Sequence, residues 1–378
     1  MTIHPSIRPR PGIAGIAPYQ GGAAHAPGAN RSIKLSANEN PLGPSPLAVE
    51  AYRSVAGNLA VYPDGGAVRL RTAIARAHGI EPERIVCGAG SDELIALLCQ
   101  AYAGEGDEVL YSAHGFLMYR LSALAAGATP VPAPERDLTT DIDALIARAT
   151  PRTRLVFLAN PNNPTGTMVP ESALARLADA LPPTALLVLD AAYAEYIRTP
   201  GYDGGLGLAG ARENVVTTRT FSKIHGLAAL RLGWAYGPAH VIDVLNRVRG
   251  PFNVTAPALA AGEAAVADRE HVARSAVLNE VWRDWLAGEI RAVGLGVTPS
   301  HGNFLLIEAG DRVAEFDAHL AAHGLIGRRV DGYGLPGHYR LSIGDEAACR
   351  AVADALAAWP ATASAPAPAP RAVGTGSA

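Results

Sequence analysis

Strand-like apolar runs alternate with helical stretches along most of this chain. Residues 85–87, 108–111, 154–158, 186–189, 215–218 and 232–236 read as strands. Residues 92–103, 118–126 and 170–181 read as helices, the last opening on Pro170, a position where proline is tolerated. This alternation predicts an α/β fold: a mainly parallel sheet sandwiched by helices, with ligand chemistry at the carboxyl ends of the strands. Residues 270–293 read as one long amphipathic helix. It leads into a smaller α+β domain with strands near 304–307 and 339–342 and helices near 313–323 and 346–357.

The ends differ in character. Residues 1–45 are rich in Pro, Gly and Asn and read as an extended arm and the start of the small domain. Residues 46–269 are expected to form the large domain and 270–360 the small one. The Ala/Pro/Gly/Ser-rich stretch 361–378 is expected to be disordered. No repeat of 20–50 residues stands out.

Composition narrows the function classes. The 378 residues are 49% hydrophobic and 18% charged, enough apolar material for a large core. A net charge of −3 gives no electrostatic case for a nucleic-acid partner. Cys87, Cys99 and Cys349 form no CxxC pair, which suits a reducing compartment. No run is long enough for a membrane span, and Pro11, Gly12, Gly15 and Pro18 interrupt the N-terminus where a signal peptide needs an apolar stretch. A cytoplasmic protein with no membrane partner is expected. His319 and His323 stand at i, i+4, but without a third ligand or an intervening Glu no metal site is expected.

Four segments carry the candidate chemistry: Asn160-Pro161-Asn162-Asn163-Pro164-Thr165-Gly166, Asp190-Ala191-Ala192-Tyr193, Thr220-Phe221-Ser222-Lys223, and Arg231. Together they supply what pyridoxal 5′-phosphate needs: a lysine amine to bond an aldehyde, a carboxylate for the pyridine nitrogen, donors for the ring oxygen, and hydroxyl and guanidinium groups for the phosphate. Each has a plainer reading on its own. Lys223 could be a solvated lysine, Asp190 a helix cap, Tyr193 ordinary packing, and Asn163 part of a tight turn. Order and spacing are what make the set specific: 27 positions from Asn163 to Asp190 and 33 from Asp190 to Lys223 leave room for whole elements. Gly88-Ala89-Gly90-Ser91-Asp92-Glu93 follows a strand and opens a helix, so its free N–H groups could bind phosphate, or Ser91 could simply cap.

These segments resemble the fold-type-I aminotransferases. Leu35-Ser36-Ala37-Asn38-Glu39-Asn40-Pro41, Val61-Tyr62-Pro63-Asp64, Gly90-Ser91-Asp92-Glu93, Ser222-Lys223-Ile224-His225-Gly226-Leu227 and Gly332-Tyr333-Gly334-Leu335-Pro336 are similar to the histidinol-phosphate aminotransferases in particular. The resemblance implies pyridoxal phosphate on Lys223, Asp190 at its pyridine nitrogen, and Asn163 and Tyr193 at its ring oxygen. It places Gly90, Ser91, Asp92, Thr220, Ser222 and Arg231 around the phosphate and Phe116 against the ring. Tyr62 is implied to reach the phosphate from the partner subunit of a homodimer with shared sites. Arg340 is implied to hold the α-carboxylate of glutamate or 2-oxoglutarate. Asn38 is implied to meet substrate, and Tyr19 and Arg328 its phosphorylated end. The implied activity is transamination between L-histidinol phosphate and 2-oxoglutarate in histidine biosynthesis. Two positions depart from the pattern: Ala191 stands where the family has Glu, and His114-Gly115 where it often has Pro-Thr before the stacking aromatic.

Three rivals share the scaffold: a broad aromatic aminotransferase, a phospho-amino-acid decarboxylase, and a cofactor-binding transcription regulator. The regulator needs an N-terminal helix-turn-helix, and the Pro/Gly-rich first 45 residues do not provide one. Gly205-Leu206-Gly207-Leu208-Ala209-Gly210 formally fits G-x-G-x-x-G, but it follows no convincing strand and is expected to be a flexible loop.

Overall fold

The computed structural model describes residues 9–18, 21 and 32–360. Its main sheet has seven strands in the order Ile85–Gly88, Gly233–Tyr236, Val215–Thr220, Leu186–Asp190, Thr153–Ala159, Glu108–Ser112 and Thr129–Ala133. Gly233–Tyr236 is antiparallel to both its neighbours, and the remaining pairs are parallel. Side chains alternate across the pleat. Leu187 and Leu189 enter the core on one face, and Leu186 and Val188 the core on the other. Helices cover both faces, so the central strands are apolar throughout instead of alternating.

Leu94, Ile95 and Leu98 of the helix Ser91–Tyr102 pack in the second of these cores with Tyr119 and Ala123 of the helix Leu117–Ala126. The opposite face is covered by Val68–His78, Glu171–Ala180 and Ala256–Ala267. Sequence reading missed several elements. The edge strand Thr129–Ala133 carries two prolines, which an edge tolerates because one side of it is unpaired. Ala256–Ala267 is almost wholly Ala and apolar, so no polar stripe marks its face. The Gly205–Gly210 stretch corrects the loop expectation: Leu206–Ala211 is a short helix, and the Asp203 carboxylate accepts from Gly205 N and Gly207 N at its start.

A second, antiparallel sheet runs Gly296–Val297, Phe304–Glu308, His338–Ser342, Arg328–Arg329. It packs with the long helix Arg269–Ala292 and with Glu346–Ala357 around Phe316, Tyr339 and Leu341. The N-terminal segment joins this body. Ile33–Lys34 pairs in parallel with Leu325–Ile326, and Leu35 is buried in the same cluster. Ser45 ties the segment back to the long helix by donating to Asp268, whose other oxygen caps that helix at His271 N. Among the described residues no helix is long and apolar enough to cross a membrane. The expected disordered stretch 361–378 lies outside the described residues.

Candidate active site

Three neighbouring strands end together: Leu186–Asp190, Thr153–Ala159 and Val215–Thr220. Their carboxyl ends open into a cavity of about 450 Å³, lined by Ser91, Asp92, Phe116, Asn163, Asp190, Tyr193, Thr220, Ser222, Lys223 and Arg231 among others. Residues separated by more than 100 positions in sequence thus converge where parallel sheets hold ligands.

Lys223 follows the strand Val215–Thr220 and is one of only two lysines in the chain, the other being Lys34. Its Nζ donates to the Ala37 carbonyl at 3.0 Å. Burial first, and then the Arg340 charge, lower its pKa from 10.5 to about 8. A neutral amine is therefore accessible near physiological pH, which nucleophilic and base chemistry both need. Asp190 ends its strand fully buried at the cavity floor. It does not cap a helix: its Oδ2 accepts from the Tyr119 hydroxyl at 2.7 Å and its Oδ1 from Thr218 at 3.4 Å. Burial pushes its pKa up, and these hydrogen bonds oppose the rise.

Asn163 projects from a turn locked by its own sequence. Gly166 N donates to Asn162 O and Asn162 N to Thr167 O, both at 2.8 Å. Gly166 has φ 78°, and a Cβ there would meet Ser300 Oγ at 2.3 Å, so glycine is required. Arg340, on the second sheet, donates to Asn163 Oδ1 and to Ser36 O at 2.9 Å. Its Nε is buried and has no partner among the described residues, a donor position left for a carboxylate. Tyr193 accepts from the Asn38 side chain at 2.9 Å. Asn38 is a buried neighbour of that residue. Its amide is spent on Tyr193 and Ser342 behind the cavity wall, in a left-handed backbone with φ 56°.

At the other end of the cavity, Ser91 begins a helix whose cap, Gly90, makes no side-chain hydrogen bond. Ser91 is therefore the first residue of the helix and not its cap. A Cβ at Gly90 would fall 2.5 Å from Arg231 Nη2 and 2.3 Å from Asp92 Oδ1, so glycine lets the turn sit against both. Arg231 Nη1 donates to Ser222 Oγ at 3.2 Å and Nη2 to Asp92 at 2.7 Å. Helix N–H groups, two hydroxyls and a guanidinium form an anion cradle. A buried lysine, a carboxylate, a ring-oxygen donor and this cradle in one cavity fit pyridoxal phosphate.

Phe116 lines the cavity edge-on to Tyr119, with ring centroids 5.9 Å apart. The His114-Gly115 departure builds the turn that delivers it. Gly115 N donates to Ser112 O at 2.7 Å, and His114 Nδ1 meets Tyr333 O at 2.7 Å. Tyr62 is away from this chain's own cavity. It is 78% exposed and stacked on Phe252 at 4.7 Å. Arg328 is on the second sheet, directly across from Arg340. Tyr19 lies outside the described residues. Sequence reading missed Glu39 on the cavity wall and the supporting Tyr119. Tyr119 stands three positions beyond Phe116 on the helix, a spacing that signals a shared face.

The profile of the family described as aminotransferase class I and II matches residues 30–356. The chain belongs to that family. Its relatives lie in the histidinol-phosphate branch. A histidinol-phosphate aminotransferase of Dinoroseobacter shibae is 58% identical over 359 residues, 94% of this chain and 99% of that one. One from Ruegeria sp. is 59% identical over 352 residues, 93% and 97% of the two chains. The crystal structure of histidinol-phosphate aminotransferase from Sinorhizobium meliloti in complex with pyridoxal-5′-phosphate superposes with a TM-score of 0.82 at 29% identity, covering 86% of this chain and 90% of that one.

Proposed function

We propose that this aminotransferase uses pyridoxal phosphate to move an amino group between L-histidinol phosphate and the 2-oxoglutarate/glutamate pair, the activity its relatives are named for. One observation carries the reading: Lys223, with a lowered pKa, shares one cavity with buried Asp190 and the Arg231 guanidinium, and Arg340 donates to Asn163 on the wall of that cavity. When bound, the cofactor supplies an aldehyde for amine exchange and a ring that accepts the electrons released at a substrate carbon. Asp190 holds a proton at the pyridine nitrogen. Tyr193 and Asn163 hold the ring oxygen. Ser91, Thr220, Ser222 and Arg231, with the Gly90 and Asp92 turn, hold the phosphate. Phe116 covers the ring.

The neutral Lys223 amine takes the proton from the substrate α-carbon and returns it one position away, the role of a general base and then acid. Arg340 takes the α-carboxylate of glutamate through its fork, Nε included. Histidinol phosphate has no such carboxylate. The Arg328/Arg340 pair offers its phosphate a doubly cationic seat, which favours this substrate over a plain aromatic amino acid. A half-reaction screen tests the reading. Histidinol phosphate and glutamate should each convert the bound cofactor's absorbance. Conversion by aromatic amino acids alone would point to the broad aromatic enzyme.

The same reading divides the chain into a cofactor-binding body over residues 46–269 and a smaller body over 270–360. It pairs two copies. Leu59, Val61, Tyr62, Val68 and Phe252 are exposed side by side in sequence or space. A groove of about 760 Å³ between the helices Pro46–Ser54, Val68–His78 and Ala256–Ala267 adjoins them. A second copy covering this face carries Tyr62 into its neighbour's phosphate cradle. Sedimentation of the holoenzyme at falling concentration tests the dimer.

A further inference from the structure

Behind Asp190 stands a residue with no role so far. We propose that Tyr119 is a positioning residue for the reaction: its hydroxyl holds the Asp190 carboxylate in the orientation and charge state that keep the cofactor's ring nitrogen protonated. The inference rests on the reading that Asp190 faces that nitrogen.

The geometry is specific. Tyr119 is wholly buried on the helix Leu117–Ala126. Its ring stacks on Phe157 of the central sheet, with centroids 4.7 Å apart and planes 5° apart. Phe116 meets it edge-on. These contacts leave the hydroxyl one direction, and it donates to Asp190 Oδ2 at 2.7 Å. Buried polar groups are satisfied by such bonds, and here the acceptor is a carboxylate whose burial favours the neutral acid. Thr218 adds only a long contact of 3.4 Å to Oδ1. Tyr119 is thus the short side-chain donor that stabilises the charged carboxylate. A carboxylate deprived of it becomes a stronger base and draws the proton off the ring nitrogen. Other groups bearing on Asp190 are the Ala192 N–H, which also stabilises the charge, and Asp92, which opposes it.

The experiment uses holoenzyme loaded with cofactor labelled with nitrogen-15 in the ring. Tyr119→Phe keeps the stacked ring and removes one oxygen. The ring-nitrogen resonance is expected to move toward that of a neutral pyridine. A hydrogen bond to a charged group is worth enough that kcat should fall about tenfold or more, with KM for both substrates little changed. In an Asp190→Asn background the same substitution is expected to cost much less, because the two residues act as one unit. An unmoved resonance, or an equal loss in both backgrounds, overturns the proposal. Fluorotyrosine at position 119 keeps both the fold and a hydroxyl donor, so it should retain the pyridinium resonance that Tyr119→Phe loses; a shift toward neutral pyridine there overturns it too. A silent Asp190→Asn substitution would instead overturn the reading of Asp190 itself, which keeps the two failures apart.

Discussion

Arg328 and Arg340 sit directly opposite each other on adjacent antiparallel strands, so their side chains leave the same face of the small sheet. Like charges in that position repel. Arg329, one residue on, turns to the other face and pairs with Asp331 at 2.6 Å. The two positions therefore share one face of the small sheet, and on the proposed reading an anionic group of the substrate seats over them. On the proposed reading, glutamate offers a carboxylate to Arg340 and histidinol phosphate its phosphate to both residues.

Arg328→Ala is expected to raise KM for histidinol phosphate sharply and to change the glutamate half-reaction much less. A charge-assisted contact is worth roughly 1.5–3 kcal/mol, about ten- to a hundredfold. Single-turnover measurements with each substrate on the one variant check this. Equal loss for both would put Arg328 in the general architecture of the site, and no loss would make it a surface arginine.

Lys223→Ala should abolish turnover, since general acid–base chemistry alone contributes roughly 10²–10⁴-fold. The chain has only two lysines, so the assignment can also be read by mass. Borohydride reduction of the holoenzyme should fix the cofactor to the peptide containing Lys223 and leave Lys34, which is paired with Glu39 at 2.8 Å, unmodified. Label on Lys34 alone would overturn the assignment.

The lowered pKa of Lys223 sets a pH dependence. In cofactor-free protein the amine is protonated below about 8 and neutral above, mainly because burial disfavours the charge. Only the neutral amine attacks an aldehyde. The rate of cofactor capture should rise with pH, about tenfold per unit, until near 8 and then level off. An ordinary lysine would keep gaining to beyond pH 10. Stopped-flow absorbance on the cofactor-free protein distinguishes the two curves, and a rate still climbing at pH 10 would show that burial does not depress this group.

Strands such as Leu186–Asp190 were legible in sequence because burial on both faces makes the whole run apolar and leaves the terminal carboxylate conspicuous. Lys223, Asn163 and Arg231 were legible because their neighbours in sequence are also their neighbours in the site. The partnerships of Tyr119 and Asn38 were not. Their hydrogen bonds to Asp190 and Tyr193 cross 71 and 155 positions of chain, and nothing local marks either residue as a partner. Ala37 and Glu39, on either side of Asn38, line the cavity.

Asp190→Asn is expected to keep the fold and to retain cofactor while lowering kcat. The amide is nearly the same size as the carboxylate and can still meet Tyr119. It cannot hold a proton at the ring nitrogen as a charged partner. Cofactor content by absorbance after gel filtration, measured with kcat on the same sample, separates the two effects. An unchanged kcat in a loaded, folded variant would contradict the role.

The exposed Tyr62 makes a prediction that only an assembled enzyme can meet. Tyr62 stacks on Phe252 outside its own cavity, so on the proposed dimer its contact with cofactor is made in the neighbouring copy. Tyr62→Phe should loosen cofactor retention, read as faster loss on dialysis. Tyr62→Phe subunits mixed with Lys223→Ala subunits give heterodimers with one doubly damaged site. In the other site, Lys223 comes from one chain and an intact Tyr62 from its partner. Retention in that site should return to the level of the parent enzyme, and cofactor-binding stoichiometry should approach one tight site per heterodimer. If the mixture behaves as the sum of its two separate parents, each site draws on one chain alone and Tyr62 belongs to surface packing with Phe252.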